Sequence, residues 1–183
     1  MPVQIGGKPE SDFSSPLELL SDCHRRIENF LGVLNRVAGR ANGRRLCGEE
    51  RAALEKALDY FRSSAPKHTA DEEDSLFPRL RALDHPLAKE SLDSLAALES
   101  EHVAAAADHN VVDLLGSRWL ERGVLSAAGH TQLNQTLSRL SAMYARHIAL
   151  EDSELFPLAG RVLRAEDLAS IGREMAERRG VKR

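Results

Sequence analysis

The chain has 183 residues, of which 42% are hydrophobic and 29% charged, with a formal net charge of −3. This is the balance of one ordinary globular domain, and its scattered lysines and arginines argue against nucleic-acid binding. No apolar run is long enough to span a membrane, and the two cysteines form neither a disulfide framework nor a zinc motif, so we expect a cytoplasmic protein. Aromatic residues are only 4%, so the core must come from aliphatic side chains, which favours packed helices.

The first element of the chain follows a stretch without hydrophobic periodicity. Residues 1–14 are rich in Gly, Pro and Ser and are predicted to form a flexible tail. The first helix is predicted to begin at Ser15, because Ser15-Pro16-Leu17-Glu18 has the form of a capping box with proline at the first helical position. We therefore assign residues 15–183 to a single domain.

Four helical faces then follow, in which apolar residues recur at three- and four-residue steps. The first face contains Leu17, Leu20, His24, Ile27, Leu31 and Leu34, and the second contains Leu54, Leu58, Phe61, Ala65, His68, Glu72 and Leu76. The third contains Leu95, Leu98, His102, Ala105, His109 and Val112, and the fourth contains Leu133, Leu137, Leu140, Tyr144, His147, Glu151 and Leu155. The sequence "GSRWLERG", residues 116–123, is predicted to connect the third and fourth helices. A short fifth helix carries Leu168, Ile171 and Met175 and ends near Gly180.

The two halves of the chain repeat one another. Adding 79 to each position of the second face gives the fourth, and adding 78 to positions of the first gives the third. The repeat is visible directly in "HTADEEDSLFP", which begins at His68, and "HIALEDSELFP", which begins at His147. A helical hairpin that is repeated in sequence predicts an all-α, up-down four-helix bundle with an approximate two-fold axis. The short additional C-terminal helix is expected to cover one end or edge of this bundle.

Polar residues stand at matched positions on the apolar faces. They are His24, His68, Glu72, His102, His147 and Glu151. A single His-x-x-x-Glu is usually a surface pair, and a single histidine on an apolar face is usually a hydrogen-bonded core residue. A buried carboxylate without a partner, however, costs several kcal/mol. The chain has two copies of His-x-x-x-Glu in register, and a lone histidine from the neighbouring helix joins each copy. This arrangement therefore favours a metal centre.

The number and type of these side chains indicate two metal ions. Six ligands exceed the four of tetrahedral zinc and suit two first-row ions about 3.5–4 Å apart, with the carboxylates as bridges. Imidazole suits iron, copper, zinc and nickel.

Several neighbours of these residues are expected to play lesser parts. His109, seven residues after His102, is interpreted as a core residue or one that supports the ligands, and Tyr144 as a core residue with a hydroxyl able to face the site. A solvated face is expected for Glu73, Asp74, Asp152 and Glu154. Pro66 is expected to kink its helix before His68, and Pro78 and Pro157 to bend or end theirs.

The ordered pattern H…HxxxE…H…HxxxE, with the flanking "EEDSLFP", "EH" and "EDSELFPLA", resembles the hemerythrin-like, HHE cation-binding family over roughly residues 15–160. The resemblance implies a four-helix bundle around two non-haem, solvent-bridged iron ions held by the six residues. It also implies binding of dioxygen or related small oxidants. Oxygen carriers of the family place a fifth histidine on the third helix in an H-x-x-x-H pair, whereas the residues four after and four before His102 here are Ala106 and Leu98. They also take one carboxylate from an aspartate five residues after the histidine, which makes Asp152 the alternative to Glu151, although the repeat favours Glu151. The missing histidine predicts a more open iron site, as in bacterial relatives tied to oxidative or nitrosative stress and iron handling.

Three functions remain open at this point. The protein is expected to store or sense dioxygen or nitric oxide, to act as an oxidoreductase on peroxide or nitric oxide, or to be an iron reservoir that donates metal to partners. The expected partners are small molecules, with no nucleic acid and no membrane, and neither a catalytic residue nor a protein partner is assigned.

Overall fold

The computed structural model describes residues 11–181, apart from the Glu90 side chain, and is helical with no strand in that range. Its helices are α1 (Pro16–Ala41), α2 (Gly48–Ser63), α3 (Ala65–Asp71), α4 (Phe77–Ala82), α5 (Pro86–Glu90), α6 (Leu92–Arg122), α7 (Ala127–Leu150), α8 (Phe156–Val162) and α9 (Ala165–Arg178). Two π-helical turns, Glu72–Leu76 and Glu151–Leu155, join α3 to α4 and α7 to α8. Residues 1–10 of the predicted tail lie outside the described residues. None of the helices described is long and apolar enough to cross a membrane.

The long helices form the predicted bundle. α1 packs against α2 and α7, and α6 packs against α2 and α7. The all-α helical bundle expected from the repeat is therefore confirmed.

Two separate apolar clusters build the interior. On α1, Leu20 belongs to one cluster and Ile27 to the other, and on α6 Leu98 and Ala105 divide in the same way. His24 and His102 fall between the members of each pair. The histidine positions thus mark a polar layer between two apolar ends of the bundle.

The helices change form near this layer. α2 ends at Ser63, and α3 begins at Ala65 with Pro66 in its first turn, so the helix is interrupted at Ser64, where the sequence predicted a kink before His68. The sequence did not predict the two π turns, each of which starts at a glutamate of the repeat. Pro78 and Pro157 occupy the first turns of α4 and α8, where the helix resumes after the π turn. A proline lacks the N–H that a continuous α-helix would use, so it is tolerated at such a new start.

The predicted connection at residues 116–123 is wrong, because α6 continues through it to Arg122. Trp119 is fully buried, and its indole N–H donates to the Arg44 carbonyl at 2.9 Å. Gly116 lies so close to Leu58 that a Cβ atom there would be 2.8 Å from Leu58 Cδ1. The turn falls instead at Gly123, whose φ is 75°.

The predicted capping box at the start of α1 does not form. Pro16 is the first helical residue, as expected, but the Ser15 side chain makes no capping hydrogen bond. The Glu18 carboxylate accepts a hydrogen bond from the Ser11 hydroxyl at 3.1 Å instead.

The C-terminal helix α9 covers one edge of the bundle, against α1 and α3. Ile171 and Met175 are fully buried in the same apolar cluster as Leu20. At the end of α9, Arg178 Nη1 and Arg179 Nη2 donate to the buried Asp71 carboxylate at 2.9 and 2.6 Å. Since Asp71 directly precedes the first π turn, α9 is anchored beside the polar layer.

Candidate metal centre

The six predicted side chains meet in the polar layer. α1 supplies His24, α3 supplies His68, α6 supplies His102 and α7 supplies His147. Each π turn supplies its first residue, a glutamate. All six residues are buried, and the most exposed, His102, is only 8% exposed.

The side chains form two clusters that share both carboxylates. One cluster consists of His24 and His68 with the two glutamates, and the other of His102 and His147 with the same two glutamates. Within each cluster the candidate ligand atoms all lie within 4.8 Å of one another. Each cluster has the size and donor types of a site that could hold one metal ion.

The Glu72 carboxylate lies between the two clusters. Its Oε1 is 3.3 Å from His68 Nε2 and 3.7 Å from His24 Nε2. Its Oε2 is 3.4 Å from His102 Nε2, in the other cluster. The two oxygens of one carboxylate thus face different histidine pairs, which is the disposition of a bridging ligand.

The Glu151 carboxylate also faces both clusters. Its Oε2 is 3.1 Å from His24 Nε2 and 3.2 Å from His147 Nε2. Asp152, the alternative carboxylate, points elsewhere: its Oδ1 lies 2.9 Å from Nδ1 of His24, on the side of the ring away from the cluster. The geometry therefore favours Glu151 as the second shared carboxylate.

The hydrogen bonding of the cluster fits a cation better than it fits a closed protein network. Neither oxygen of Glu72 or Glu151 has a hydrogen-bond partner, and neither has His24 Nε2, although all are buried. Buried polar atoms without a partner are uncommon in folded proteins. A cation between carboxylate oxygens and imidazole nitrogens would satisfy all of these atoms.

The protonation of the metal-free site follows from the same crowding. Burial disfavours the charged ring of His24, but the hydrogen bond to Asp152 and the close carboxylates of Glu151 and Glu72 outweigh it and raise the His24 pKa to about 12. Burial also opposes the charge on His102, yet Glu72 and Glu73 raise its pKa to about 9. Imidazolium protons thus balance the buried carboxylates when no metal is bound. Metal ions would displace those protons, because the ligand form of histidine is neutral.

Three further carboxylates hold the histidine rings from outside. Asp152 Oδ1 is 2.9 Å from His24 Nδ1, Glu73 Oε1 is 2.8 Å from His102 Nδ1, and Glu101 Oε2 is 2.9 Å from His147 Nδ1. Such partners fix the ring orientation and increase its basicity toward a metal.

The sequence did not predict the role of these outer carboxylates. Glu73 and Asp152 do reach solvent, as predicted, with side chains 34% and 39% exposed, but they also bind the ligand-candidate histidines. The repeat did carry a signal, since an acidic residue follows the shared glutamate in both halves. Asp74 and Glu154 are exposed, as predicted. Glu101 was not singled out, and its position directly before His102 was the only clue.

A cavity of about 230 Å³ adjoins the histidines. Its lining includes all four candidate ligand rings together with Ala105, Ala106 and the exposed Asn110, so it extends from the centre toward the surface. A water molecule occupies roughly 30 Å³ of liquid, so the cavity has room for small molecules.

His109 and Tyr144 line this cavity but belong to neither cluster. Nε2 of His109 lies 2.9 Å from the Tyr144 hydroxyl, and its ring stacks on Phe61 at a centroid distance of 4.3 Å. Burial lowers the pKa of His109 to about 4, so this ring is neutral. The pair forms a polar wall on an otherwise largely apolar cavity.

Comparison with known proteins agrees with this geometry. The family described as the hemerythrin HHE cation binding domain matches residues 15–159. A protein from Haemophilus influenzae, described only as uncharacterized, is 28% identical over 170 residues, which cover 93% of each chain.

Proposed function

The chain belongs to the hemerythrin HHE cation-binding family, and we propose that it is a non-haem di-iron protein that reacts with dioxygen, peroxide or nitric oxide in the response to oxidative or nitrosative stress. The observation that carries the proposal is the pair of buried His/Glu clusters that share both carboxylates. A single ion would leave one pair of histidines without a function. Two ions explain why all six side chains converge.

Charge balance supports two divalent ions. Two ferrous ions carry +4, the two shared carboxylates reduce this to +2, and a bridging hydroxide would leave +1. The three outer carboxylates bring the total to −2, which is closer to neutrality than the −4 that a single ferrous ion would leave among the same groups. A donor set of imidazole and carboxylate is compatible with iron.

The residues around the centre suit small, neutral reactants. Bound ferrous ions would supply electrons to such a molecule. Ile27, Phe61 and Ile148 present apolar surface to the cavity, which limits the entry of water. The Tyr144 hydroxyl is a polar group on the wall outside the candidate ligands, and its partner His109 holds it in place. The side chains therefore admit a small oxidant, orient it and keep bulk solvent away.

The proposal is tested by loading the protein with ferrous iron in the absence of air. Metal analysis should give two irons per chain. Stopped-flow absorption spectroscopy then follows mixing with air, peroxide or nitric oxide. We expect rapid oxidation in air without reversible oxygen uptake, and reaction of the oxidised protein with peroxide or, after reduction, with nitric oxide.

Other outcomes of the same experiment would identify the competing functions. Oxygen uptake that is released under vacuum over many cycles would favour oxygen storage or sensing. Inert iron that transfers to an acceptor protein would favour an iron reservoir. One iron per chain would refute the di-iron proposal. A cytoplasmic location stays a prediction from the sequence.

A further inference from the structure

The outer shell of the metal centre is not symmetric. Three of the four histidine rings place Nδ1 against a carboxylate, in the pairs His24–Asp152, His102–Glu73 and His147–Glu101. His68 is the exception: its Nδ1 is buried and has no hydrogen-bond partner among residues 11–181. The cluster of His24 and His68 therefore has one outer carboxylate, and the cluster of His102 and His147 has two.

The internal repeat shows where the missing carboxylate would be. His68 corresponds to His147, and the position that corresponds to Glu101 is occupied by Cys23. Cys23 is 4% exposed, and its sulfur accepts a hydrogen bond from the Arg26 guanidinium at 3.0 Å. The two halves of the chain thus differ at the one position that would complete the symmetry of the outer shell.

This difference has a consequence for metal binding. A carboxylate on the non-ligating N–H of a histidine fixes the ring and makes it a better donor, and loss of such a partner typically weakens metal binding about 10- to 100-fold. We propose that the two metal positions are inequivalent: the cluster of His102 and His147 fills first and tightly, whereas the cluster of His24 and His68 binds about 10- to 100-fold more weakly and exchanges its ion. This inference rests on the proposed two-metal function.

The test is a competition titration with ferrous iron under nitrogen, against a ferrous chelator of known affinity. The wild-type protein should bind two ions in steps at least about tenfold apart. Glu101→Gln preserves the side-chain shape but removes the charge beside His147, so the tight step should weaken and approach the second one. Glu154→Gln, which removes an exposed acid three residues after Glu151, is the matched control and should leave both steps unchanged.

Histidine variants assign the steps to the clusters. His68→Ala should remove the weak step and retain the tight one, and His147→Ala should remove the tight step, with circular dichroism used to check that each variant is folded. Two equal binding steps in the wild-type protein would by themselves overturn the inference. A tight binding step that survives in folded His147→Ala would overturn it as well. Fewer than two ions in the wild-type titration would instead refute the two-metal proposal, and the inference with it.

Discussion

Replacing Glu151 by glutamine should have very different effects on stability with and without metal. Both Glu151 oxygens are buried without a hydrogen-bond partner. In the metal-free protein the substitution removes a buried charge, and the facing rings keep other carboxylates, Asp152 for His24 and Glu101 for His147. The desolvation gained and the attraction lost oppose one another, so the free energy of unfolding should change by only about 1 kcal/mol.

In the presence of iron the same substitution should be costly. A ligand at 100 times its dissociation constant stabilises a protein by about 2.7 kcal/mol. Iron at 100 times the dissociation constant of the weaker site should therefore stabilise this protein by at least about 5 kcal/mol through the two ions that share Glu151. The variant should forfeit about 3 to 5 kcal/mol of this. For a chain of this size that corresponds to a melting temperature lower by about 6 to 20 °C.

Scanning calorimetry under nitrogen, with and without ferrous iron, measures both effects on one sample. Glu154→Gln should keep the full stabilisation by metal, because its side chain is exposed. If Glu151→Gln shows the wild-type increase in melting temperature on adding iron, Glu151 is not a shared ligand and the bridging geometry has been misinterpreted. Asp152→Asn would then become the variant to test.

Three other perturbations test separate parts of the structure. His102→Ala should lose iron whereas His109→Ala should retain it, because only His102 belongs to a cluster; equal loss in metal analysis would contradict the ligand set. Despite burial, carboxylates raise the pKa of His24 to about 12 and the pKa of His102 to about 9 in the folded protein. The two charged rings therefore stabilise the metal-free protein fully below the unfolded histidine pKa of about 6.5. This stabilisation is lost as the pH rises through the folded pKa values. Urea unfolding between pH 6 and 10 should therefore show falling stability without metal, and a flat profile would argue against these charged rings. Asp71→Ala should destabilise the protein by about 3 kcal/mol in urea with or without metal, because it breaks a buried ion pair that anchors α9. An unchanged midpoint would show that this ion pair does not anchor α9.

Only part of the local structure could be predicted. The capping box at Ser15 and the connection at residues 116–123 follow sequence rules that ignore the neighbouring elements. In the folded chain the Glu18 carboxylate contacts Ser11 and the predicted capping box is not formed. Trp119, a residue of α6, is buried against the segment around Arg44, so the helix continues where the sequence predicted a connection. The π turns were also not predictable, since nothing in the spacing of apolar residues distinguishes them from a continuous α-helix.

The six residues of the candidate centre, in contrast, could be predicted, because helical periodicity is a local property that the sequence by itself determines. Residues four apart share a helix face, and the repeat states twice which face is buried. The outer shell depends instead on side chains far apart in sequence: Glu73 and His102 are separated by 29 residues, and His24 and Asp152 by 128. No spacing rule connects such positions, so only the packing of the helices decided which carboxylate holds which ring. It also decided that His68 would have none.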